Sequence, residues 1–351
     1  MEAGRHGNTI IMLIDKNKWI LGSNTNFYKG FSDEELIYLC DIKTYSKNNI
    51  PFLFWTTEIY GFGKCYRDWL NFPSFLPIPF YGDHGVDLSG DLALHEKNNK
   101  SKIHLTWNKF RFENKANSNF KKLLYITNPW VLYRRKQNIQ LKDNRHGTII
   151  FYSHTNIGIE FENDNHDSYF DDLSKLDPKF APFVICIHMH DVNKGLHKKL
   201  RKYNYPIITV GNSLNQNFVD RFYDIIINFK YATSNKIGSQ LFYCTEIGLP
   251  YFLYGEPPSL INYTEINIPL GKVKSFDPIS ENLTNEIRNS FCKPQQMITI
   301  EQKNLTTKIL GLDSKININK FKYYFIIESL RLMPHYLVLI IKITLNKFKN
   351  D

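Results

Sequence analysis

A chain of 351 residues is long enough for about two domains, and its 42% hydrophobic and 15% aromatic content supplies packed cores, which excludes a disordered or fibrous protein. Lys and Arg number 44 against 34 Asp and Glu, a net charge of +10 that suits anionic partners such as nucleotides or lipid headgroups. The basic residues form no stripe with interleaved aromatics, so a nucleic-acid surface is not expected. In chain order, residues 10–15 are a strand candidate, and Ser32 with Glu35 makes a capping box that opens a helix running to about residue 45. Residues 51–55 read as a strand. From 56 to 111 the pattern breaks into loops rich in Gly, Pro and aromatics, and a long irregular stretch of this kind is often functional. Residues 122–127 return to strand character, and the polar, aperiodic segment 136–147 reads as a linker.

The second half is more regular. Strands are predicted at 148–153, 183–189, 206–210, 231–233 and 251–254, with a helix over 216–229 and another opening near Gly238 and Ser239 and ending at Gly248. Strands alternating with helices at this spacing imply parallel βαβ units. Several strand ends carry small polar residues: Ser153, His154 and Thr155; Gly211, Asn212 and Ser213; Ser234 and Asn235. Where a helix follows, its free N–H groups and dipole favour an anion, and open α/β sheets bind ligands at those carboxyl ends. A phosphate-bearing ligand is therefore expected. His188 and His190 lie two apart, on one face if in a strand. With His154 they have the chemistry of metal ligands, but no cysteine or carboxylate cluster at ligand spacing supports a metal. Residues 272–302 are poorly patterned.

Two α/β halves joined by a polar linker, with ligand loops in the second half, resemble a GT-B glycosyltransferase. The segment ATSNKIGSQLFYCTEIGLPYFLYGE is similar to the donor-site strand–loop–helix of bacterial transferases that build surface polysaccharide, lipopolysaccharide O-antigen or capsule. FYGDHGVDLSGD, HLTWNKFRF and NPWVLYRRK are also similar to members of such gene clusters. The resemblance implies two Rossmann-like domains facing across a cleft. They would be an N-terminal acceptor domain over 1–135 and a nucleotide-sugar domain over 148–319, followed by a tail over 320–351. The donor site would comprise Ser153, His154, Thr155, His190, Gly211, Asn212, Ser213, Ser234, Asn235, Gly238 and Ser239. The two glutamates eight positions apart that mark many retaining members are missing, since Glu246 is matched by Tyr254 and Glu256 by Gly248. An inverting reaction follows as the expectation.

An inverting transferase needs a base for the acceptor hydroxyl, and Asp83 and His84, flanked by Gly82 and Gly85, are the candidates. Arg67, Trp107 and Arg111 would line an acceptor groove, because aromatic faces stack on sugars and arginines recognise anions. The resemblance implies a nucleotide-sugar co-substrate, a lipid-linked or polysaccharide acceptor, and neither metal nor other cofactor. The alternatives are a transferase of similar fold using a CMP-linked sugar or polyol phosphate, and a non-catalytic basic membrane- or nucleic-acid-binding protein.

Cys40, Cys65, Cys186, Cys244 and Cys292 are odd in number and unpatterned, which argues for a reducing compartment rather than a disulfide framework. No N-terminal leader is recognised, and no run reaches roughly 18 apolar residues, so a cytoplasmic protein is expected. In the tail, Leu337, Ile341, Leu345 and Phe348 share one helical face, with basic residues on another and Pro334 suited to the first turn. A basic amphipathic helix of this kind predicts peripheral contact with the inner membrane.

Overall fold

The computed structural model describes residues 25–41, 52–115, 121–162, 166–263, 271–273 and 281–350. The strand expected at 10–15 lies outside them. The chain forms two compact units, each discontinuous in sequence: one over Met1–Tyr45 and Ile139–Thr306, the other over Ser46–Asn138 and Thr307–Asp351. This division differs from the expected domains over 1–135 and 148–319 with a separate tail, because residues 1–45 group with the second half and residues 307–351 with 46–138. Both units are mixed α/β with parallel sheets.

The unit over 46–138 and 307–351 holds a parallel sheet ordered β1 (Tyr81–Gly82), β2 (Ile103–Thr106), β3 (Lys122–Tyr125). Among the described residues of 51–55 there is no ladder, and Trp55–Thr57 is a 3-10 turn. The stretch that reads as loop supplies β1, β2 and helices Phe62–Leu70 and Lys109–Glu113. Its elements are too short to show a period. Helix Pro129–Lys136 begins with Pro129 at a position whose N–H is dispensable, capped by the Asn128 side chain. It packs beside Phe62–Leu70, with Phe62 between Trp107 and Trp130 at 5.4 and 6.1 Å between ring centroids. Helix Ile318–Asn350 closes the chain, with Pro334 inside it rather than in a first turn, at the cost of one backbone hydrogen bond. Its segment Ile318–Lys342 is long and apolar enough to cross a membrane by length and composition, which scattered charges conceal in a search for uninterrupted runs.

The other unit holds a five-stranded parallel sheet of β4 (His146–Phe151), β6 (Phe183–Cys186), β7 (Ile207–Ile208), β8 (Phe229–Ser234) and β9 (Tyr251–Leu253). Its order is β7-β6-β4-β8-β9. Ile149, Ile150, Val184, Ile185, Ile207 and Ala232 are fully buried, as strands covered on both faces require. A small antiparallel sheet, β11 (Gly271–Val273), β10 (Leu260–Asn262), β5 (Ile159–Phe161), stands beside it in sequence. Lys136 ends a helix and His146 opens β4, so the expected linker shrinks to the few residues between them. Residues 281–291, unpatterned in sequence, are helical.

The N-terminal segment completes this unit. Ser32 caps helix Asp33–Cys40: its Oγ accepts from the Glu35 N–H, and the Glu35 carboxylate accepts from the Ser32 N–H. Phe31 N–H donates to Ile207 O at 2.8 Å and Asn212 N–H to Leu39 O at 2.9 Å, so the segment covers the β7 edge. Arg201 pairs with Asp33 at 3.0 Å. Gly30 and Gly211, at φ +71° and +88°, permit the close approach. A Cβ on either would lie 2.8 Å from backbone atoms of Ile207 or Leu39.

Candidate functional site

In chain order the five-stranded sheet runs 3-2-1-4-5, and the winding reverses between β4 and β8, which is where such sheets take ligands at their carboxyl ends. Ser153, just beyond β4, donates from both its N–H and its Oγ to Asn235 Oδ1, at 3.2 and 2.7 Å. Asn235 follows β8, and its Nδ2 donates to Glu256 O beyond β9 at 3.3 Å. One asparagine therefore fixes three strand-end loops at the reversal point. Helix Ser239–Ile247 opens next to it after Gly238, which has no side chain to cap the helix, and ends at Gly248 in the left-handed region.

Three histidines stand at the neighbouring strand ends. The ring centroids of His154 and His188 are 4.6 Å apart, and those of His188 and His190 4.9 Å. The strand expected through 183–189 stops at Cys186, and His188 instead caps helix Met189–Asn193, accepting from the His190 N–H through Nδ1 at 3.3 Å. Burial, with the neighbouring histidines, holds His188 well below its ordinary value and thus neutral. With Nδ1 accepting, the proton sits on Nε2, which is buried and has no hydrogen-bond partner among the described residues. His154 donates from Nδ1 to Thr155 O at 2.8 Å. Burial lowers it to about 4, with the Lys236 and His190 charges acting in the same sense.

Thr155 is turned inward. Its N–H and Oγ1 donate to Asp191 at 3.0 and 2.7 Å. Burial raises Asp191 to about 7 against these hydrogen bonds. Lys194 Nζ donates to Thr155 Oγ1, Asn156 O and Ile159 O, and pairs with Glu160 at 2.8 Å. Asp191 and Lys194 thus shape the loop that carries His154. Neither was expected from sequence; their position in the turn after His188 and His190 was the available signal. Lys236 was missed as well, although it lies in the loop already singled out.

Gly211, Asn212 and Ser213 differ from the expected donor contacts. Asn212 donates to Leu39 O and Cys40 O, and Ser213 donates from N–H and Oγ to Met189 Sδ. The glycine there admits the end of helix Asp33–Cys40. Ser234 Oγ donates to Lys236 O at 2.5 Å and holds its own loop.

In the other unit, Asp83 and His84 follow β1. Asp83 is 1% exposed. Its Oδ1 accepts from His104 Nε2 at 2.9 Å and Arg111 Nη1 at 2.7 Å, and its Oδ2 from Thr106 Oγ1 at 2.7 Å. Burial pushes its carboxyl up, but Arg111, His104 and Thr106 outweigh it and hold the group at about 2. An acid this weakly basic and this enclosed is a poor proton acceptor, contrary to the expectation of a loop-presented base. Arg111 is fully buried, also bonded to Glu96 at 2.9 Å, Asp87 and Ser89. Trp107 is fully buried and donates to Gly85 O at 2.9 Å, while Arg67 makes a bidentate pair with Glu58 at 2.8 and 2.9 Å. The three residues expected in a groove are thus interior ones. Asp83, Glu96 and His104 offer ligand atoms within 4.8 Å of one another, but the Arg111 guanidinium already supplies the cation between the two carboxylates. His84 is half-buried, its ring 4.8 Å from that of Trp55, which is 43% exposed.

No protein-family model matches the chain, and no curated protein matches it. Among solved structures, that of the wall teichoic acid polymerase TagF is similar at 14% identity and a TM-score of 0.35, over 69% of this chain and 60% of that one. A variant of TagF soaked with CDPG is similar at 10% identity and a TM-score of 0.31, over 86% of this chain and 93% of that one. The chain thus spans about 60% of the length of the first of these. The α/β architecture described above stands on this chain's own strand order.

Proposed function

We propose that the chain is a glycosyltransferase that moves a sugar from a nucleotide-linked donor to a lipid-linked or polysaccharide acceptor, with the donor held by the unit containing β4–β9. The observation that carries the reading is the sheet's reversal point. There helix Ser239–Ile247 opens after Gly238, which supplies no capping side chain, beside the loops pinned by Asn235. Such an end favours a phosphate. The buried Nε2–H of His188 and the charge of Lys236 are suited to the same anion.

In this reading the departing nucleotide diphosphate gains negative charge as the glycosidic bond breaks. Preorganised amides, Lys236 and His188 stabilise that charge without reorganising. Ser153 and Asn235 set the spacing of the loops rather than spending hydrogen bonds on the donor. Of the two sequence candidates for the base, His84 is favoured, because Asp83 is committed to Arg111, His104 and Thr106. The GT-B pairing of the two units, the inverting outcome and a reaction without a metal are parts of the proposal.

The test is thermal stabilisation by a panel of UDP, GDP, dTDP, CMP and CDP. A ligand that binds only the folded state raises the melting temperature, by about 2.7 kcal/mol of stability at a hundredfold excess over Kd. One nucleotide is expected to stabilise the chain, and His188→Ala and Ser239→Trp to weaken that effect. A panel without any shift would end the donor-site reading. His84→Ala is expected to keep nucleotide binding and lower turnover about 10²–10⁴-fold, the usual worth of a positioned base. Unchanged turnover would reject His84.

A further inference from the structure

Helix Ile318–Asn350 has two apolar sides. Successive residues turn by about 100°, so Phe321, Phe325, Glu328 and Leu332 fall within one narrow stripe, and all four are buried. Phe321 packs on Trp69 and Phe80 at 5.0 and 5.2 Å between centroids, and Phe325 on Phe72 and Phe80 at 4.6 and 5.8 Å. Leu332 joins Phe54 and Tyr81. These contacts hold the helix against its own unit. The opposite side carries Tyr323, Ile326, Ile327, Leu330, Leu337 and Ile341, all exposed, with Leu330 at 63%. An apolar strip of this length on a helix already anchored elsewhere is not required by the unit's own core.

Charge identifies what covers it. The one acidic residue between Ile318 and Asn350 is Glu328. It lies on the buried side and pairs with Arg331 at 2.5 Å. Lys320 and Lys342 are exposed at either end of the strip, and the sequence adds Lys347 and Lys349 beyond it. Apolar residues bordered by lysines and free of acids fit the interface of an anionic bilayer, with the strip in the acyl boundary and the ammonium groups among phosphates. Because Phe321, Phe325 and Leu332 are committed to protein, the helix is not available to be surrounded by lipid. The geometry points to an anionic membrane surface as the partner of this side of helix Ile318–Asn350, with the helix lying in the plane of the membrane. The contact starts at Tyr323, within the expected tail over 320–351 but ahead of the face of Leu337, Ile341, Leu345 and Phe348 read from sequence, and it does not depend on the transferase reading.

The experiment is co-sedimentation of the full chain with vesicles of phosphatidylcholine plus phosphatidylglycerol, and with phosphatidylcholine alone, at low and high salt. Wild type is expected to pellet with the anionic vesicles, less so at high salt, and to be released by alkaline carbonate. The double variant Ile326→Asp, Leu330→Asp changes only exposed positions. It is expected to melt like wild type and to lose vesicle affinity by about tenfold or more, and Lys320→Glu with Lys342→Glu is expected to lose the preference for anionic lipid. Equal binding by wild type and the aspartate variant would overturn the proposal. So would wild type that stays in the supernatant throughout, including as a dimer that the aspartates dissociate, or protein that resists carbonate extraction as a spanning helix does.

Discussion

Arg111 is the residue on which most interior charge converges. It is bonded to Asp83 and Glu96, whose side chains are closed off from bulk water, and to Asp87 at the edge of the network. Removing one partner of a buried ion network strands the others, so Arg111→Met is expected to cost about 3–5 kcal/mol, read from denaturant unfolding. Asp83 titrates at about 2 when folded against an ordinary 3.8. A depressed carboxylate stabilises the fold above its unfolded value and loses that contribution as pH falls toward 2. Asp191 works in the opposite sense: raised to about 7 from 3.8, it takes up a proton on folding, so its contribution falls as pH rises through that window. His154, lowered to about 4 from 6.5, destabilises the fold on acidification through that range. The two partly offset each other. Asp191→Asn removes the carboxyl's share and is expected to make the melting temperature drop more steeply than wild type between pH 6.5 and about 4; an unchanged slope would refute the assignment. None of this was legible in the sequence. Arg111 read as an acceptor contact and Asp83 as a base there because charged residue types are usually exposed, and only the packing shows that they neutralise one another.

Local chemistry was more transparent at the level of elements. The Ser32 and Glu35 box is present as read, because a cap depends on residues three apart. Ser32→Ala is expected to cost about 1 kcal/mol. The alternation over 146–253 came through for the same reason: buried strands and amphipathic helices declare themselves within a dozen residues. The loops of 56–111 did not, since β1 has two residues and β2 four, too few for a period. Gly211 illustrates a correct residue with a different cause. Glycine is needed there at φ +88°, where Leu39 O approaches its Cα. Gly211→Ala is expected to destabilise by about 1–3 kcal/mol, whereas Gly90→Ala, with open space around it, serves as the near-neutral control.

For the molecule as a whole, the unit boundaries matter most. Helix Asp33–Cys40 comes first among the described α-helices yet belongs with strands that begin more than a hundred residues later. Residues 139–306 produced alone would leave the β7 edge open, and an uncovered edge strand invites aggregation. That fragment is expected to be insoluble, and joining residues 1–45 to it to restore solubility; equal solubility of the two would contradict the role of the segment. The sequence by itself determined the α/β class, the alternating strands of the second half and the capped helix Asp33–Cys40, all of which depend on neighbours in the chain. Tertiary structure alone decided which strand ends meet a reversal point and which are spent on internal hydrogen bonds. Asn212 finds its partner Cys40 across 172 residues, and Ser153 finds Asn235 across 82. Separations of that size leave no periodic trace, so a polar residue that holds the fold and one that is open to a ligand look identical until the chain is folded.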